Sequence, residues 1–350
     1  MANRYWVGGT GNWDATSTTH WSASSGGSGG ASVPTTADDV IVNSASGSPA
    51  ISMSANTNCK SLTTTGATCS FSGGNLITVA GGITFSTTTT WSHNATLSLT
   101  GTGTITTNGV VMPSSFSINA VGLTITLGSA LTCSNTTVDA FRLSNGTINL
   151  NGKTLTISNA AGKANINSGT KDITFNGGSF VINCAGATAF NNAAPTGFTT
   201  TAGTGTGTIS LTSPSAKTFV GGGSTYNCTL NQGGAGNLTI TGSNTFTNIT
   251  NTTQPASVLF TAGTTNTFTD FSLSGTAGNL ITIGSVTAAT HTLSKASGTV
   301  NVNYLSISRS TATGGATWNA GANSTDGGNN TGWIFTAPPT TTNSNFFMLF

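Results

Sequence analysis

Along most of the chain, apolar residues stand at every other position in short runs, with Thr or Ser between them. Ile77/Val79 precede Ile83/Phe85, Leu97/Leu99 precede Ile105, and Leu123/Ile125/Leu127 form one run. The theme continues with Ile148/Leu150 and Leu155/Ile157, Ile173/Phe175 and Phe180/Ile182, and Leu238/Ile240 before Phe246. A period of two puts alternate side chains on opposite faces of an extended strand, so each run predicts a strand with one buried and one wet face. The runs are separated by corners such as Asn145-Gly146, Asn151-Gly152 and Asn176-Gly177, residue types that tolerate positive φ. Two all-β architectures answer to this pattern: stacked β-sandwich domains built from hairpins, and a right-handed parallel β-helix, a solenoid whose turns stack about 4.8 Å apart. The runs are short, the corners do not repeat a two-residue hairpin turn, and nothing limits the pattern to a sandwich-sized block of about 100 residues. The solenoid is therefore the expected fold, with on the order of a dozen turns of about 20 to 25 residues and a rod roughly 55 Å long.

Three zones and a tail are visible. Residues 1–44 hold Trp6, Trp13 and Trp21 and a Gly/Ser-rich segment before Pro34, and read as an N-terminal cap whose indoles form a buried cluster. The stretch Asp38 to Val42 reads as the first regular strand. Residues 45–309 are the solenoid body, and residues 310–337, with Trp318 and Trp333, read as the second cap. Residues 338–350 begin with Pro338-Pro339, continue through a polar tether and end in Phe346, Phe347, Met348, Leu349 and Phe350. Five apolar side chains on a polar tether are costly to leave in water, so these five are expected to dock on a partner or a sister subunit. The expected assembly is a homo-oligomer, with a trimer as the leading form.

Composition sharpens the picture. Only 5% of the residues are charged, where an ordinary soluble domain has about 25%, and every acidic residue is Asp. Thr, Ser, Asn and Gly must supply the surface, and all four are poor helix formers. The 35% of apolar residues in a regular pattern excludes disorder. The net charge of +2 is scattered along the chain and builds no basic stripe, so nucleic acid is not an expected partner. The five cysteines show no C-x-x-C pair and read as buried thiols. No run approaches the roughly 20 apolar residues of a membrane span, and the opening residues lack the apolar core of a secretion signal, which predicts synthesis and release in a cytoplasm.

The opening, RYWVGGTGNWDATSTTHWS followed by VPTTADDVIV, and the closing WNAGANSTDGGNNTGWIF resemble the end signatures of repetitive β-rich structural and fibre proteins of tailed bacteriophages. The resemblance is firm at both ends and one of style between them. It implies a virion protein, a tail fibre or spike or a capsid decoration protein, that works by assembly and adhesion and has no catalytic motif. Its implied partners are other virion proteins and host surface glycan. A W-x-G-G…W opening also occurs in bacterial cell-surface adhesins of the autotransporter type, which makes these the alternative. Those proteins carry a signal sequence and a membrane barrel, and neither is expected here.

Candidate chemistry is sparse. Glycoside hydrolysis normally needs two carboxylates about 5 to 9.5 Å apart, and a polysaccharide depolymerase is the remaining enzymatic reading. Asp38 and Asp39 are neighbours and point to opposite faces of a strand, while Asp139, Asp172 and Asp270 are isolated; stacking is the only way to bring Asp139 and Asp172 together, beside Arg142 and Lys171. His20, His93 and His291 are scattered, and the oxygen-rich loop around Asp326 has one carboxylate, too few for a firm calcium site. No enzyme, metal or cofactor is predicted. Trp91, beside His93, is the one tryptophan of the body and the candidate for stacking on a sugar.

Overall fold

The computed structural model describes residues 2–136, 139–185 and 188–336. Phe346 to Phe350 lie outside the described residues. The chain is an all-β solenoid of about 13 turns whose strands stack in parallel. Short strands form because Thr, Val and Ile suit a pleated surface, and several end where an Asn or Gly takes a positive φ. Asn151 (φ 50°), Gly152 (φ 71°) and Asn176 (φ 47°) mark such corners.

Each full turn contributes to three faces. On the first, Asp39–Asn43, Ser61–Thr65, Ile83–Thr84 and Gly103–Thr106 stack in order. Lys171–Thr174 and Phe198–Thr201 lie further along the same face. A second face runs from Gly11–Trp13 and Ala50–Met53 to Thr154–Ile157, Ser179–Ile182 and Gly207–Leu211. The third runs from Thr57–Cys59 through Ile77–Val79 and Thr96–Leu99 to Thr325–Asp326. Two long strands, Ser115–Leu127 and Asp139–Asn149, pass from the third face round a corner onto the first, with register shifts at Asn119.

Inside, like stacks on like. Leu155, Phe180, Ile209 and Leu230 form one column on the second face, all with no exposure. Phe116 lies over Phe141 with centroids 6.4 Å apart, and Phe190 over Phe219 at 4.6 Å. Each large apolar side chain so buried contributes about 1.5–3 kcal/mol. Ile148, Leu150, Leu155, Ile157, Leu238 and Ile240 all point inward as their period of two requires, and Asn151-Gly152 joins strands of different faces instead of forming a hairpin.

The N-terminal zone differs from its reading in one respect. Three short strands precede Asp39, and two of them are already solenoid: Asn3–Trp6 stacks in parallel on Asp39–Asn43, and Gly11–Trp13 on Ala50–Met53. Only Trp21–Ser22 runs antiparallel, along the outer edge of Asn3–Trp6. Trp6, Trp13 and Trp21 are buried and meet edge to face, each contact 5.2 Å between centroids. His20 lies flat on Trp6 at 4.7 Å and its Nδ1 is 2.8 Å from the Val7 carbonyl, so it belongs to this packing. At the other end Trp318 and Trp333 pack 5.0 Å apart, on strands that continue the parallel stack.

Candidate functional site

Trp91 is not available to a sugar. It is 4% exposed, its ring packs against Phe71 at 5.3 Å and Phe85 at 5.1 Å, and its Nε1 donates to Ser114 Oγ at 2.9 Å. Its strand, Thr89–Trp91, turns Thr89 and Trp91 inward, and His93 follows in the same phase. Ser114 Oγ also lies 3.0 Å from His93 Nδ1, which looks like a nucleophile and its base. Both side chains have no exposure, Ser114 Oγ reaches the His93 carbonyl at 2.8 Å, and His93 Nε2 donates to the Asn75 carbonyl at 2.6 Å. Burial lowers the His93 pKa, so this group is a neutral core network that no substrate reaches.

The two carboxylates that stacking was needed to unite stay apart. Asp139 is the first residue of Asp139–Asn149, on the third face, whereas Asp172 pairs with Thr147 near the other end of that strand, on the first. Asp139 binds Arg142 at 2.6 Å and Lys163 at 3.8 Å. Asp172 accepts hydrogen bonds from Thr174 (2.6 Å), Thr199 (2.8 Å) and Thr201 (3.1 Å). Lys171 points the opposite way, into the rod. Asp326 caps its own loop, accepting from the Gly328 amide at 2.9 Å and Asn330 Nδ2 at 2.6 Å. Among the described residues no group of three or more His, Cys, Asp or Glu could hold a metal ion.

The surface feature that does stand out is a long polar trough. It arises because the turns widen. Cys69 and Thr89, stacked partners, are 20 residues apart, whereas Asn165 and Asn191 are 26 apart and Asn192 reaches across 29 residues to the Gly221 carbonyl. The extra residues, 192–197, form a wall beside the stack. Three adjoining cavities of about 480, 370 and 750 Å³ follow it, sharing Ser168, Ala194 and Thr196, and run from Asn119 and Asn145 to Thr225 and Asn227.

Asparagine rungs line the first of these. Asn145 Nδ2 donates to Asn119 Oδ1 at 2.8 Å, Asn191 Nδ2 to Asn165 Oδ1 at 2.9 Å, and Asn165 Nδ2 to Asp139 Oδ2 at 3.1 Å. Asn167 Nδ2 donates to Ser144 Oγ at 3.3 Å. These hydrogen bonds fix the direction of each amide, and Asn165 commits both its Oδ1 and its Nδ2, which makes a pre-organised row. Gly146 (φ 88°) lies so close under the corner above that a Cβ there would meet the Ala120 carbonyl oxygen at 2.2 Å. Threonines 196, 199, 200 and 201 line the last cavity.

The wall is held from inside by Lys171. Its ammonium, 1% exposed, donates to the carbonyls of Gly169 (2.9 Å), Ala194 (3.1 Å) and Thr196 (2.9 Å). Burial lowers its pKa. Lys217 repeats the device farther along, its Nζ reaching the carbonyls of Ser213 at 2.9 Å and Gly236 at 2.8 Å. Asn192, also unexposed, donates to Ser224 Oγ and Tyr226 Oη, both at 3.1 Å. The trough thus offers amides and hydroxyls on a rigid floor. Charge is confined to its flank, in the Asp139 cluster, and to Asp172, which three hydroxyls occupy.

These residues were not singled out from sequence, although a signal existed: Asn119 and Asn145, and Asn165 and Asn191, share a spacing of 26. No protein-family model, curated protein or solved structure matches the chain.

Proposed function

We propose that the protein is a non-catalytic structural rod of a bacteriophage particle, a fibre, spike or capsid-decorating element, that binds a neutral host-surface glycan along the trough. The trough carries this reading. Amides and hydroxyls can both donate to and accept from sugar hydroxyls, and threonine methyls suit the C–H faces of sugar rings. A polysaccharide laid across successive turns gains from many weak contacts at once, which a row repeated every turn provides. Acidic glycans find no free cationic row there. The resemblance of both chain ends to phage fibre proteins supports the particle assignment, and the apolar Phe346 to Phe350 supply the attachment to sister subunits or other virion proteins. The test is immunogold electron microscopy with antibodies to the purified chain. Gold on purified virions supports the reading. Gold on the bacterial surface alone replaces it with the adhesin, and gold on neither removes it.

A further inference from the structure

Toward the C-terminal end of the rod, Thr245–Asn251, Thr265–Phe268, His291–Ser294 and Ser310–Thr313 stack in parallel, each on the one before and without a register shift. Their outward positions form two columns of hydroxyls. Thr265, Thr292, Thr311 and Thr331 make one, the last joined to Thr311 by a parallel bridge. Thr245, Thr267, Ser294 and Thr313 make the other. All eight reach solvent, Thr265, Thr313 and Thr331 most of all, while Asn266 and Leu293 between the columns turn inward with no exposure.

The grid is kept although the turns behind it change length. Thr245 and Thr267 are 22 residues apart, Thr267 and Ser294 27, and Ser294 and Thr313 19, so the extra residues go into the corners and not into this face. Elsewhere comparable rows are interrupted or spent. Val181 stands between Thr156 and Ser210 on the second face, and Asp172 holds the hydroxyls of Thr174, Thr199 and Thr201. In the grid only Thr313 donates within the protein, to the Leu293 carbonyl at 3.4 Å. The other seven hydroxyls have no hydrogen-bond partner among the described residues. Neither column contains a charge, and Lys295 at the margin turns its ammonium back onto the Thr269 carbonyl.

Spacing decides what such a grid fits. Adjacent rows of a parallel sheet lie about 4.8 Å apart, and outward residues two apart in one strand about 6.6 Å. Thr is stiff at χ1, so its hydroxyl and methyl repeat with the backbone. Both distances lie close to the oxygen repeats on a prism face of ice. A grid without strongly hydrated ammonium groups holds no competing water shell of its own. A flexible glycan or peptide has no use for a repeat in two dimensions, and the flat aromatic rings that grip a crystalline polysaccharide are missing from both columns. We propose that this face binds ice, the water ordered along the two columns merging with the lattice of a growing crystal. The proposal is independent of the particle assignment and of the trough, which ends at Thr225 and Asn227.

The test uses the purified full chain in supercooled buffer, read by thermal hysteresis, by crystal shape and by uptake of labelled protein into slowly growing ice. The expected result is faceted crystals, a gap between melting and freezing that widens with protein concentration, and enrichment in the ice fraction. Thr292→Lys with Thr311→Lys, in the middle of the grid, should raise the concentration needed for the same gap about tenfold or more, because the face binds through many weak contacts at once. Thr156→Lys, on the second face, should leave the gap unchanged. If the lysine pair does not fold by circular dichroism, Thr265→Leu with Thr313→Leu, at the most exposed positions, replaces it with the same expectation. Round crystals, no gap and exclusion from ice overturn the proposal. So does a gap that the grid variants leave intact, or one that Thr156→Lys reduces equally. A lysine pair that sediments as a smaller species than the wild type makes the columns an interface between copies of this chain, which overturns it too.

Discussion

His291 lies stacked on Phe260 inside the solenoid, ring centroids 4.8 Å apart, with Nδ1 2.9 Å from Ser285 Oγ and no partner for Nε2 among the described residues. The ring has no exposure, and burial brings its pKa down from 6.5 to about 4. The unfolded chain therefore takes up a proton between those values that the folded chain refuses, and folding stability falls as pH drops through that window. The full loss is about 3 kcal/mol by pH 4. Urea midpoints at pH 7, 5.5 and 4 should fall in that order, and His291→Phe should flatten most of the decline. Midpoints that do not move with pH would contradict the burial of this ring.

Lys217 gives the opposite limb. Its ammonium sits among main-chain carbonyls, 1% exposed, with its pKa brought down from 10.5 to about 8 by burial. Between these values the unfolded chain holds the proton that the folded chain has lost, so this group's contribution to stability rises with pH. The buried thiols of Cys59, Cys133 and Cys228, whose pKa values burial raises, act against it at higher pH. The effect is therefore read as a difference. Wild-type stability minus that of Lys217→Met should grow from pH 8 to pH 10, and a constant difference would count against the carbonyl cage as drawn.

In the trough, Asn165→Ala with Asn191→Ala removes two rungs from the outer surface and nothing from the core. Circular dichroism and melting temperature should stay within a few degrees of wild type, because surface changes of this kind cost about 0.5 kcal/mol each. Binding of host-surface polysaccharide should fall by about tenfold or more, given about 1 kcal/mol per lost hydrogen bond. Unaltered binding moves the glycan elsewhere.

The separation of Asp139 from Asp172 bears on activity. Purified protein incubated with host polysaccharide should release no oligosaccharide detectable by reducing-end assay. Release that Asp139→Asn or Asp172→Asn abolishes would make the protein a depolymerase.

For attachment, deletion of residues 345–350 should leave a folded rod with an unchanged circular dichroism spectrum. It should shift sedimentation to the single subunit or eliminate incorporation into virions. If both sedimentation and incorporation survive the deletion, Phe346 to Phe350 do not dock a partner.

How much of this was legible depended on which residues filled the inward positions. Where Ile, Leu and Phe filled them, as in Ile148/Leu150 and Leu155/Ile157, alternation alone placed the strands and their buried face. Where polar residues took the same positions the period was masked. Thr89 and His93 flank Trp91 in phase with it, so a core tryptophan looked like an isolated aromatic in a polar stretch. Lys171 and Lys217 looked like scattered surface charge, yet both point inward, because main-chain carbonyls at a widened corner can substitute for a counter-ion. The trough was hidden for a related reason. A spacing of 26 between asparagines means contact only when the local turn has that length, and turn length changes along the rod. The Asn3–Trp6 strand escaped notice because it has no alternation at all, with burial on one residue only.

Among the described residues the stack closes on very short strands: Thr325–Asp326 and Trp333–Ile334 have two residues each. A stack of parallel strands that terminates in a full-length edge has the geometry of a growing amyloid tip, able to recruit any extended segment that matches its hydrogen-bonding row. Two residues provide too few rungs to hold such a recruit. Strands this short make the described end of the stack a poor template for an incoming strand, so the fibril-like order inside the rod is paired there with a row that offers little hold.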